Sequence, residues 1–439
     1  MTPTRFFSLL VLPFFILVAS ACELPGDVVI ATTDNAQAVV DANPAGTRYR
    51  FAAGVHTNVH VVPKDGDSFL GADAGAIIDG GGASDPAFRS FEVVKDVSIF
   101  NLAITNYNPT PYEAVIDAGS QEWGDTGTWR APTNWAIYSV DLYDNTGAYQ
   151  SAAIKVGGGS TITDNRIFDN NGAGIWGHGE NMYIADNEIF GNSRAATDSE
   201  AGNHSGGIKL VAVHDSIVTN NNVHDNQGPG IWCDANCDNV EIHNNFVTDN
   251  EWAGVQYEVS FRGNIHDNIV TNNGQGDFRN WLWDGGIVVS NSVDVVVSDN
   301  ILDGNDDGIT VIDQRTARND GRFSIAPGEP RRIGSGQAFE IPSWAQVFDA
   351  DGELEYWRSE DVRVLNNTIN NSGASGASNG GGDEAVGSDL YATTVFSGNT
   401  YTNFFGFYWA TGSDVAPNAG DPEYQGNLTL AQWQAFGND

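Results

Sequence analysis

The sequence predicts an all-β chain that coils into a single parallel β-helix, a solenoid with inserted loops. Three observations lead to this prediction. An asparagine returns about once per coil, short alternating runs rich in Val and Ile separate these asparagines, and apolar residues at helical spacing are almost absent. A helix-based repeat would need that spacing, so strands must form the fold.

Two columns of asparagine mark the repeat. Successive members of the first column are 22, 34, 24, 23, 32, 67 and 32 residues apart, which indicates a short unit that insertions sometimes lengthen. Stacked asparagines can bond their amides along a column and tolerate left-handed turns, so we interpret both columns as structural. The first column comprises Asn165, Asn187, Asn221, Asn245, Asn268, Asn300, Asn367 and Asn399, and the second Asn145, Asn170, Asn192, Asn226, Asn250, Asn273 and Asn305.

One strand of each coil can be aligned by a small residue and the apolar residue that follows it, as in Gly207-Ile208 and Gly230-Ile231. Strand alternation points this apolar side chain into the coil and the next residue outward. The outward position reads Lys155, Trp176, Lys209, Trp232, Gln256, Val288 and Thr310, and the position two residues later reads Gly157, His178, Val211, Asp234, Glu258, Ser290 and Ile312.

The repeats predict one domain between two short ends. We expect an N-terminal linker at 22–40, the β-helix at 41–410 and a C-terminal cap or tail at 411–439. Longer insertions leave the coils near 120–134, 193–206, 275–284 and 315–360. Insertions on a solenoid often gather on the binding face.

Residues 1–21 have the pattern of a signal peptide. Arg5 precedes an apolar stretch, and Ala19-Ser20-Ala21 supplies the small residues that a signal peptidase needs. Cys22 follows directly and resembles the lipidated cysteine of bacterial lipoproteins, although Ala19 stands where Leu is usual, which leaves ordinary secretion open. We expect export to the periplasm or the cell surface, with membrane contact only through a lipid anchor.

The other two cysteines, Cys233 and Cys237, lie four residues apart. They could form a disulfide in an oxidising compartment, or they could be small core residues. A disulfide between them would leave Cys22 as the odd cysteine.

The chain is strongly acidic. It has 20 Lys and Arg against 57 Asp and Glu, a formal net charge of -37, which excludes nucleic acid as a partner. An acidic polysaccharide would also be repelled unless cations intervene. Lysine is scarce, and two of the four lysines, Lys155 and Lys209, share the outward register.

Charged and aromatic residues therefore converge on one wall. Since neighbouring coils are about 4.8 Å apart, we expect Asp234 beside Glu258, with Lys209 one coil below Asp234. Each residue alone would be an ordinary solvated side chain, but the combination favours a functional site. Its catalytic members would be Lys209, Asp234, Glu258 and His178, and its substrate-binding members Lys155, Trp176, Trp232, Gln256, Trp281 and Trp283.

The outward tryptophans have two interpretations. Large aromatics in register indicate either a platform for sugars or packing beneath an inserted loop. Trp281 and Trp283 occur in one of the insertions and could wall the same groove.

Several phrases resemble a known family. Gly206-Gly207-Ile208-Lys209, Tyr257-Glu258-Val259-Ser260 and the closing Trp433-Gln434-Ala435-Phe436-Gly437 are similar to secreted right-handed parallel β-helix repeat proteins of the pectate-lyase-like superfamily. The resemblance covers nearly the whole chain after the leader. It implies a right-handed coil and carbohydrate chemistry on its outer face: lyases, hydrolases, epimerases or binding proteins.

Three functions stay open, with a calcium-assisted polysaccharide lyase preferred. A lyase needs a base, Lys209, and a cation beside the uronate carboxylate, for which Asp234 and Glu258 would form a Ca²⁺ seat. A glycoside hydrolase would use Asp234 and Glu258 as its two carboxylates, with Lys209 or His178 tuning one of them. A non-catalytic glycan-binding or adhesion solenoid would stack sugars on its tryptophans. In each case the partner is a polysaccharide, and we expect a monomer.

The sequence lacks the motifs that would select a subclass. It has no Asn-Thr-Asp and Gly-Asp-Asp pair in successive coils, as polygalacturonases have, and no Asp-Pro-His element typical of alginate epimerases. The resemblance therefore assigns no individual activity.

The leader makes a testable prediction. Cys22→Ala should move the protein from the detergent-soluble membrane fraction to the soluble fraction, because the substitution removes the thiol that carries the lipid. Fractionation and metabolic labelling with a fatty acid would measure this. Equal distribution and no label in the wild type would show ordinary secretion instead.

Overall fold

A computed structural model describes residues 26–90, 93–118, 133–194, 205–276, 283–312, 331–332, 338–339, 346–348, 354–357, 359–373, 375–378, 394–403, 406–410 and 429–435. The signal peptide, Cys22, Trp281 and most of the predicted insertions lie outside these residues. Among the described residues, no helix combines the length and the apolar character needed to cross a membrane.

The chain forms a right-handed parallel β-helix, as predicted, whose coils have up to three strands on three faces. The first face contains Phe88–Arg89, Ala114–Asp117, Ala152–Val156, Ala173–Glu180, Ile208–Thr219, Ile231–Asp234, Val255–Glu258, Gly285–Ser290, Asp307–Ile312, Ser375–Ser378 and Phe407–Ala410. The strand Ile208–Thr219 continues around the corner and joins this face to the second in one 23-stranded sheet.

The second and third faces complete each coil. The second contains Val28–Ile30, Arg48–Phe51, Ser68–Gly71, Ser98–Phe100, Ala136–Tyr138, Thr161–Thr163, Tyr183–Ala185, Asp238–His243, Asn264–His266, Val296–Ser298, Arg363–Leu365 and Val395–Ser397. The third is a separate 12-stranded sheet of Gly54–Thr57, Ala76–Ala83, Ala103–Tyr107, Asp141–Tyr143, Arg166–Phe168, Glu188–Phe190, Asn222–His224, Phe246–Thr248, Ile269–Thr271, Ile301–Asp303, Thr368–Asn370 and Thr400–Thr402.

Two small antiparallel pairs lie apart from the coils, in the region predicted to be the largest insertion. Arg331–Arg332 pairs with Ala338–Phe339, and Gln346–Phe348 pairs with Leu354–Trp357. These pairs lie between Ile312 and Arg363 in the sequence. The parallel pairing of the coils continues past them, because Val296–Ser298 pairs directly with Arg363–Leu365.

The prediction of a linker at 22–40 was wrong for its described part. Val28–Ile30 pairs in parallel with the next strand of the second face, and a helix at Ala36–Asp41 buries Val40 in the core. Asn35 caps this helix by accepting from the Ala38 amide. The Lys64 ammonium donates to backbone oxygens at the helix C-terminus. The segment therefore closes the N-terminal end of the coil.

A second helix, Leu430–Ala435, lies in the predicted C-terminal cap. Its Trp433 is fully buried, stacks on Phe407 at 4.8 Å between ring centroids and meets Phe396 edge-on. The helix thus covers apolar side chains of the last described strands.

The two predicted asparagine columns are confirmed as continuous buried ladders. In the first column the amide nitrogen of each asparagine donates to the amide oxygen of the next, as Asn221 does to Asn245 and Asn245 to Asn268, both at 3.0 Å. The same nitrogen also donates to backbone carbonyls of the turn, which for Asn245 are those of Val218 and His243. The second column repeats the pattern from Asn145 to Asn305.

The residue before each first-column asparagine has a left-handed backbone. Asp164, Asp186 and Asn220 have φ of 57°, 58° and 56°, a conformation that Asp and Asn adopt more readily than other side-chain-bearing residues. This explains why the repeat phrase opens with Asp-Asn or Asn-Asn.

The ladder gives a prediction on stability. Asn245→Ala should lower the free energy of unfolding by about 2 to 4 kcal/mol, because it leaves buried backbone carbonyls and a neighbouring amide without their partner. Asn264→Ala, on the half-buried outward side of a strand, should change it by less than about 0.5 kcal/mol. Denaturant unfolding monitored by circular dichroism measures both, and equal losses would contradict a structural role specific to the ladder.

Candidate functional site

The predicted outward columns on the first face are confirmed by the strand register. Lys155 pairs with Trp176, Trp176 with Lys209, Lys209 with Trp232 and Trp232 with Gln256. In the second column Val211, Asp234, Glu258, Ser290 and Ile312 follow one another in the same way. The intervening Leu210, Cys233 and Tyr257 pack in the inner core, so the columns do point outward. We call these columns the outer wall.

Lys209 is the centre of the outer wall. Its Nζ lies 2.9 Å from Asp234 Oδ2 and 3.0 Å from the centroid of the Trp232 ring. A carboxylate and the negative face of an indole both stabilise an ammonium ion. The Lys209 side chain is therefore held as a cation between the Trp232 ring and the Asp234 carboxylate, which both belong to the following coil.

Glu258 continues the network on the next coil. The Trp232 indole Nε1 donates to Glu258 Oε2 at 3.1 Å, and the Gln256 amide donates to the same oxygen at 3.0 Å. One tryptophan thus presents its face to Lys209 and its N–H edge to Glu258. The predicted members Lys209, Trp232, Asp234, Gln256 and Glu258 form one connected group.

His178 joins the wall beside a bulge. The strands Ala173–Glu180 and Ile208–Thr219 shift register between Gly177 and Gly179, where Val211 and Ala212 oppose the single residue His178. Its Nδ1 lies 3.1 Å from the Val211 carbonyl oxygen. Because a carbonyl only accepts, Nδ1 carries the proton of this contact, and in the neutral ring Nε2 is the atom able to accept a proton.

A second charged group extends the wall in the N-terminal direction. Lys155 Nζ donates to the Tyr112 carbonyl at 2.8 Å, lies 3.8 Å from Asp117 Oδ2 and lies 5.8 Å from the centroid of the Trp176 ring. Trp176 in turn contacts His178, with 5.5 Å between ring centroids. Sequence reasoning missed Asp117, although Ala114-Val115-Ile116-Asp117 aligns with Ala152-Ala153-Ile154-Lys155.

The outer wall is covered rather than solvated. Trp176 and Trp232 are each 1 % exposed, Lys209 1 %, Asp234 7 % and Glu258 0 %. Of the two interpretations of the tryptophans, the structure agrees with packing under other parts of the chain and not with open sugar platforms. Asp234 is the most accessible of the three charged residues.

Trp283 lies at the C-terminal edge of the wall. It packs on a small outer cluster of Ala253, Val288 and Ile312. Val288 and Ile312 thus make this end of the wall partly apolar. Trp281, the other tryptophan predicted to wall the groove, lies outside the described residues.

One carboxylate oxygen on each residue of the predicted calcium seat already receives donors. Asp234 accepts from an ammonium and Glu258 from two N–H groups, whereas a calcium ion needs six to eight oxygen ligands. In the described part of the chain, no group of three or more His, Cys, Asp or Glu side chains could hold a metal ion. As arranged, these residues do not fit calcium.

Cys233 and Cys237 are free buried thiols, so the structure does not contain the disulfide that their spacing allowed. Both lie in the inner core, and Cys237 Sγ donates to the carbonyl oxygens of Leu210 and Asp234. Burial and the hydrogen bond with Cys237 raise the pKa of the Cys233 thiol well above its ordinary value, which disfavours the reactive thiolate.

A partly buried ion cluster lies at the turn that follows Asp234. Asp238 accepts from Arg262, with 2.6 Å between Arg262 Nε and Asp238 Oδ1, and its Oδ2 lies 3.8 Å from His214 Nδ1. Burial acts to raise the pKa of Asp238, but the hydrogen bonds from His214 and Arg262 outweigh it and the pKa lies below 3.8. This cluster joins three successive coils beside the outer wall.

The family model described as "Right handed beta helix region" matches residues 130–285, which include Lys155, His178, Lys209, Asp234 and Glu258. No curated protein sequence matches the chain. Several solved structures are similar, including two with a TM-score above 0.5. The A-module of the mannuronan C-5 epimerase AlgE6 of Azotobacter vinelandii is 17 % identical, covers 87 % of this chain and 94 % of its own, and has a TM-score of 0.51.

The second is XylC in complex with xylose, which is 12 % identical, covers 90 % of this chain and 87 % of its own, and has a TM-score of 0.58. At such low identity these likenesses show the fold. They agree with the right-handed parallel β-helix that the sequence predicts.

The Lys209–Asp234 pair gives a prediction on coupling. Lys209→Met and Asp234→Asn should each destabilise the protein, the former by about 3 to 5 kcal/mol, because one charge of a buried pair is left alone. The double variant should lose clearly less than the sum. Unfolding of the four proteins in denaturant measures the coupling energy, and additive losses would show that the two side chains do not interact.

The Asp238 cluster gives a prediction on pH. Since the folded pKa is depressed, its stabilisation is present above pH 3.8 and is lost as the pH falls through the folded pKa. Asp238→Asn should therefore destabilise the protein near neutral pH, and the difference from wild type should shrink as the pH falls below 3.8.

The matched control is Asp294→Asn, because Asp294 forms an exposed ion pair with Arg363 and should matter little at any pH. Denaturant unfolding over a pH series measures both variants. A loss for Asp238→Asn that is constant with pH would contradict the charged cluster.

Proposed function

We propose that the protein is exported, anchored through Cys22, and acts on a polysaccharide at the outer wall, with β-elimination at a uronate residue as the reaction. Carbohydrate chemistry is suggested by the two similar structures, one of an enzyme that epimerises mannuronan and one that holds xylose. The reaction class rests on the residues of this chain.

The observation that supports the proposal most is the state of Lys209. Its contacts with Asp234 and Trp232 favour an ammonium, which has no lone pair and so cannot serve as the base that the sequence suggested. An ammonium can instead bind the carboxylate of a uronate residue. The substrate carboxylate would then replace Asp234 as the partner of Lys209, and its charge would be neutralised without a metal ion.

Neutralising that carboxylate makes the adjacent C–H proton easier to remove. His178 is the candidate base, through Nε2, because its Nδ1 proton is engaged by Val211. The proton passes to the imidazole, the C–H electron pair forms the new C=C bond, and the glycosidic C–O bond breaks. The leaving oxygen takes a proton from water.

A hydrolase is the second candidate, favoured by one observation: Asp234 and Glu258 are directly paired on neighbouring coils. A retaining hydrolase places its two carboxyl groups about 5 to 5.5 Å apart. One carboxyl group must also deliver a proton to the leaving oxygen. Asp234 and Glu258 both accept hydrogen bonds from N–H donors, as ionised carboxylates do, so neither is arranged to donate that proton. We therefore rank the hydrolase second.

The proposal predicts metal-independent elimination. Incubation with polygalacturonate, polymannuronate, xylan and a neutral glucan, with calcium or with chelator, should give unsaturated-product absorbance and new reducing ends together on a uronate polymer. Chelator should not reduce either signal. His178→Gln should lower the rate by about 10²- to 10⁴-fold, the usual contribution of a general base.

Lys209→Arg, which keeps the positive charge, should retain more activity than Lys209→Met. Lys95→Met is the control, because Lys95 is exposed and away from the wall. Activity only with calcium would restore the predicted metal seat and refute the metal-free account. Reducing ends alone would indicate the hydrolase, and saturable binding without product would indicate a glycan-binding solenoid.

A further inference from the structure

Two fully buried polar residues, one paired with Glu258 in the strand register and one two positions after Asp234, have no role in the network described above. Ser290 and Asn236 are both 0 % exposed. The Ser290 hydroxyl and both amide atoms of Asn236 have no hydrogen-bond partner within the described residues. Native proteins leave few buried polar groups unsatisfied because each one costs free energy, so such groups near a site require a reason.

Ser290 belongs to the same outward column as Glu258. The two residues are paired in the parallel register, and the preceding Val289 packs in the inner core, so the Ser290 side chain points outward. On the following coil the column continues with Ile312, part of the apolar outer cluster. Ser290 therefore lies between the polar Glu258 and the apolar Ile312 in this column.

Asn236 lies in the turn two residues after Asp234. Its backbone N–H donates to the carbonyl of Val259, the residue that follows Glu258, at 2.7 Å. Its φ of 68° suits Asn, but glycine adopts the same conformation more readily. The turn therefore does not explain a buried amide that makes no hydrogen bond.

We propose that Ser290 and Asn236, with Glu258, bind hydroxyl groups of adjacent sugar residues of a glycan, an inference that rests on the proposed action on a polysaccharide. A sugar hydroxyl both donates and accepts, as do the serine hydroxyl and the asparagine amide. A carboxylate group of a sugar can only accept hydrogen bonds, so it could not donate one to the Asn236 amide oxygen. The negative charge of Glu258 would also repel it. This position selects a part of the glycan that carries no charge.

The position is separate from the one assigned to the uronate carboxylate. The Glu258 coil is two coils beyond that of Lys209, about 10 Å along the axis. The sugar that meets Ser290 is thus a neighbour of the uronate residue rather than the same ring. Because Ser290 and Glu258 are fully buried, a sugar reaches this position by displacing the cover of the wall.

The test depends on the Ser290 hydroxyl and the Asn236 amide making no hydrogen bond within the protein. Ser290→Ala and Asn236→Gly should leave the melting temperature unchanged or raised, since no internal hydrogen bond is lost. Both should weaken binding of a hexasaccharide about fivefold to tenfold. Calorimetric titration with hexasaccharides of galacturonate, mannuronate, xylose and glucose measures affinity, in a His178→Gln background that prevents turnover.

Ser292→Ala is the matched control. The Ser292 hydroxyl donates to the carbonyls of Tyr257 and Ser290 and accepts from the Ser260 amide. Its loss should lower the melting temperature and leave affinity unchanged.

Two results would overturn the inference while sparing the proposed function. One is unchanged hexasaccharide affinity in both variants. The other is a loss of melting temperature in both as large as that of Ser292→Ala, which would show that their polar groups serve the fold. If the parent protein binds none of the hexasaccharides, the proposed function fails and this inference fails with it.

Discussion

The parallel register of the coils is the constraint on which the rest of the structure depends. Each ladder asparagine bonds the asparagine of the next coil and the carbonyls of its own turn, as Asn245 does with Asn268 and His243. A slip by one residue would reverse the faces of every strand and bury charged side chains in the core. Residues at equivalent positions therefore stack about one strand spacing apart over many coils.

Because the coils stack in register, residues at equivalent positions of successive coils contact one another. Lys209, Trp232 and Glu258 come from three successive coils, yet one indole contacts the ammonium with its face and the carboxylate with its N–H. Buried charges are costly unless they are paired, and here each charge has a fixed partner before any ligand arrives. Such an arrangement is preorganised, which is what electrostatic stabilisation of a reacting carboxylate requires.

The sequence predicted what depends on periodicity. The asparagine ladders and the outward direction of Lys209 follow from a repeat and from strand alternation, and both are confirmed. Exposure of the wall could not be predicted in this way, because its cover does not come from the repeat. Trp176 and Trp232 are consequently buried where alternation alone suggested an open face.

Other misses have local causes. The bulge at Val211 and Ala212 adds a single residue and leaves the periodicity almost unchanged, so the sequence did not indicate it. Asp117 was missed because Val115 stands where the aligned coils have a small residue before the inward apolar side chain. The segment 28–41 has no repeat phrase, and its role as an end cap depends on the distant Lys64.

The most direct test of this account is the state of Lys209 in solution. With only four lysines, selective labelling of lysine Cε and Nζ gives an NMR spectrum in which each can be assigned by substitution. We predict a Lys209 ammonium that exchanges slowly with solvent and is shifted by the Trp232 ring current, with both properties lost in Trp232→Leu. Four equivalent, rapidly exchanging signals would contradict the buried cation and with it the proposed role of the outer wall.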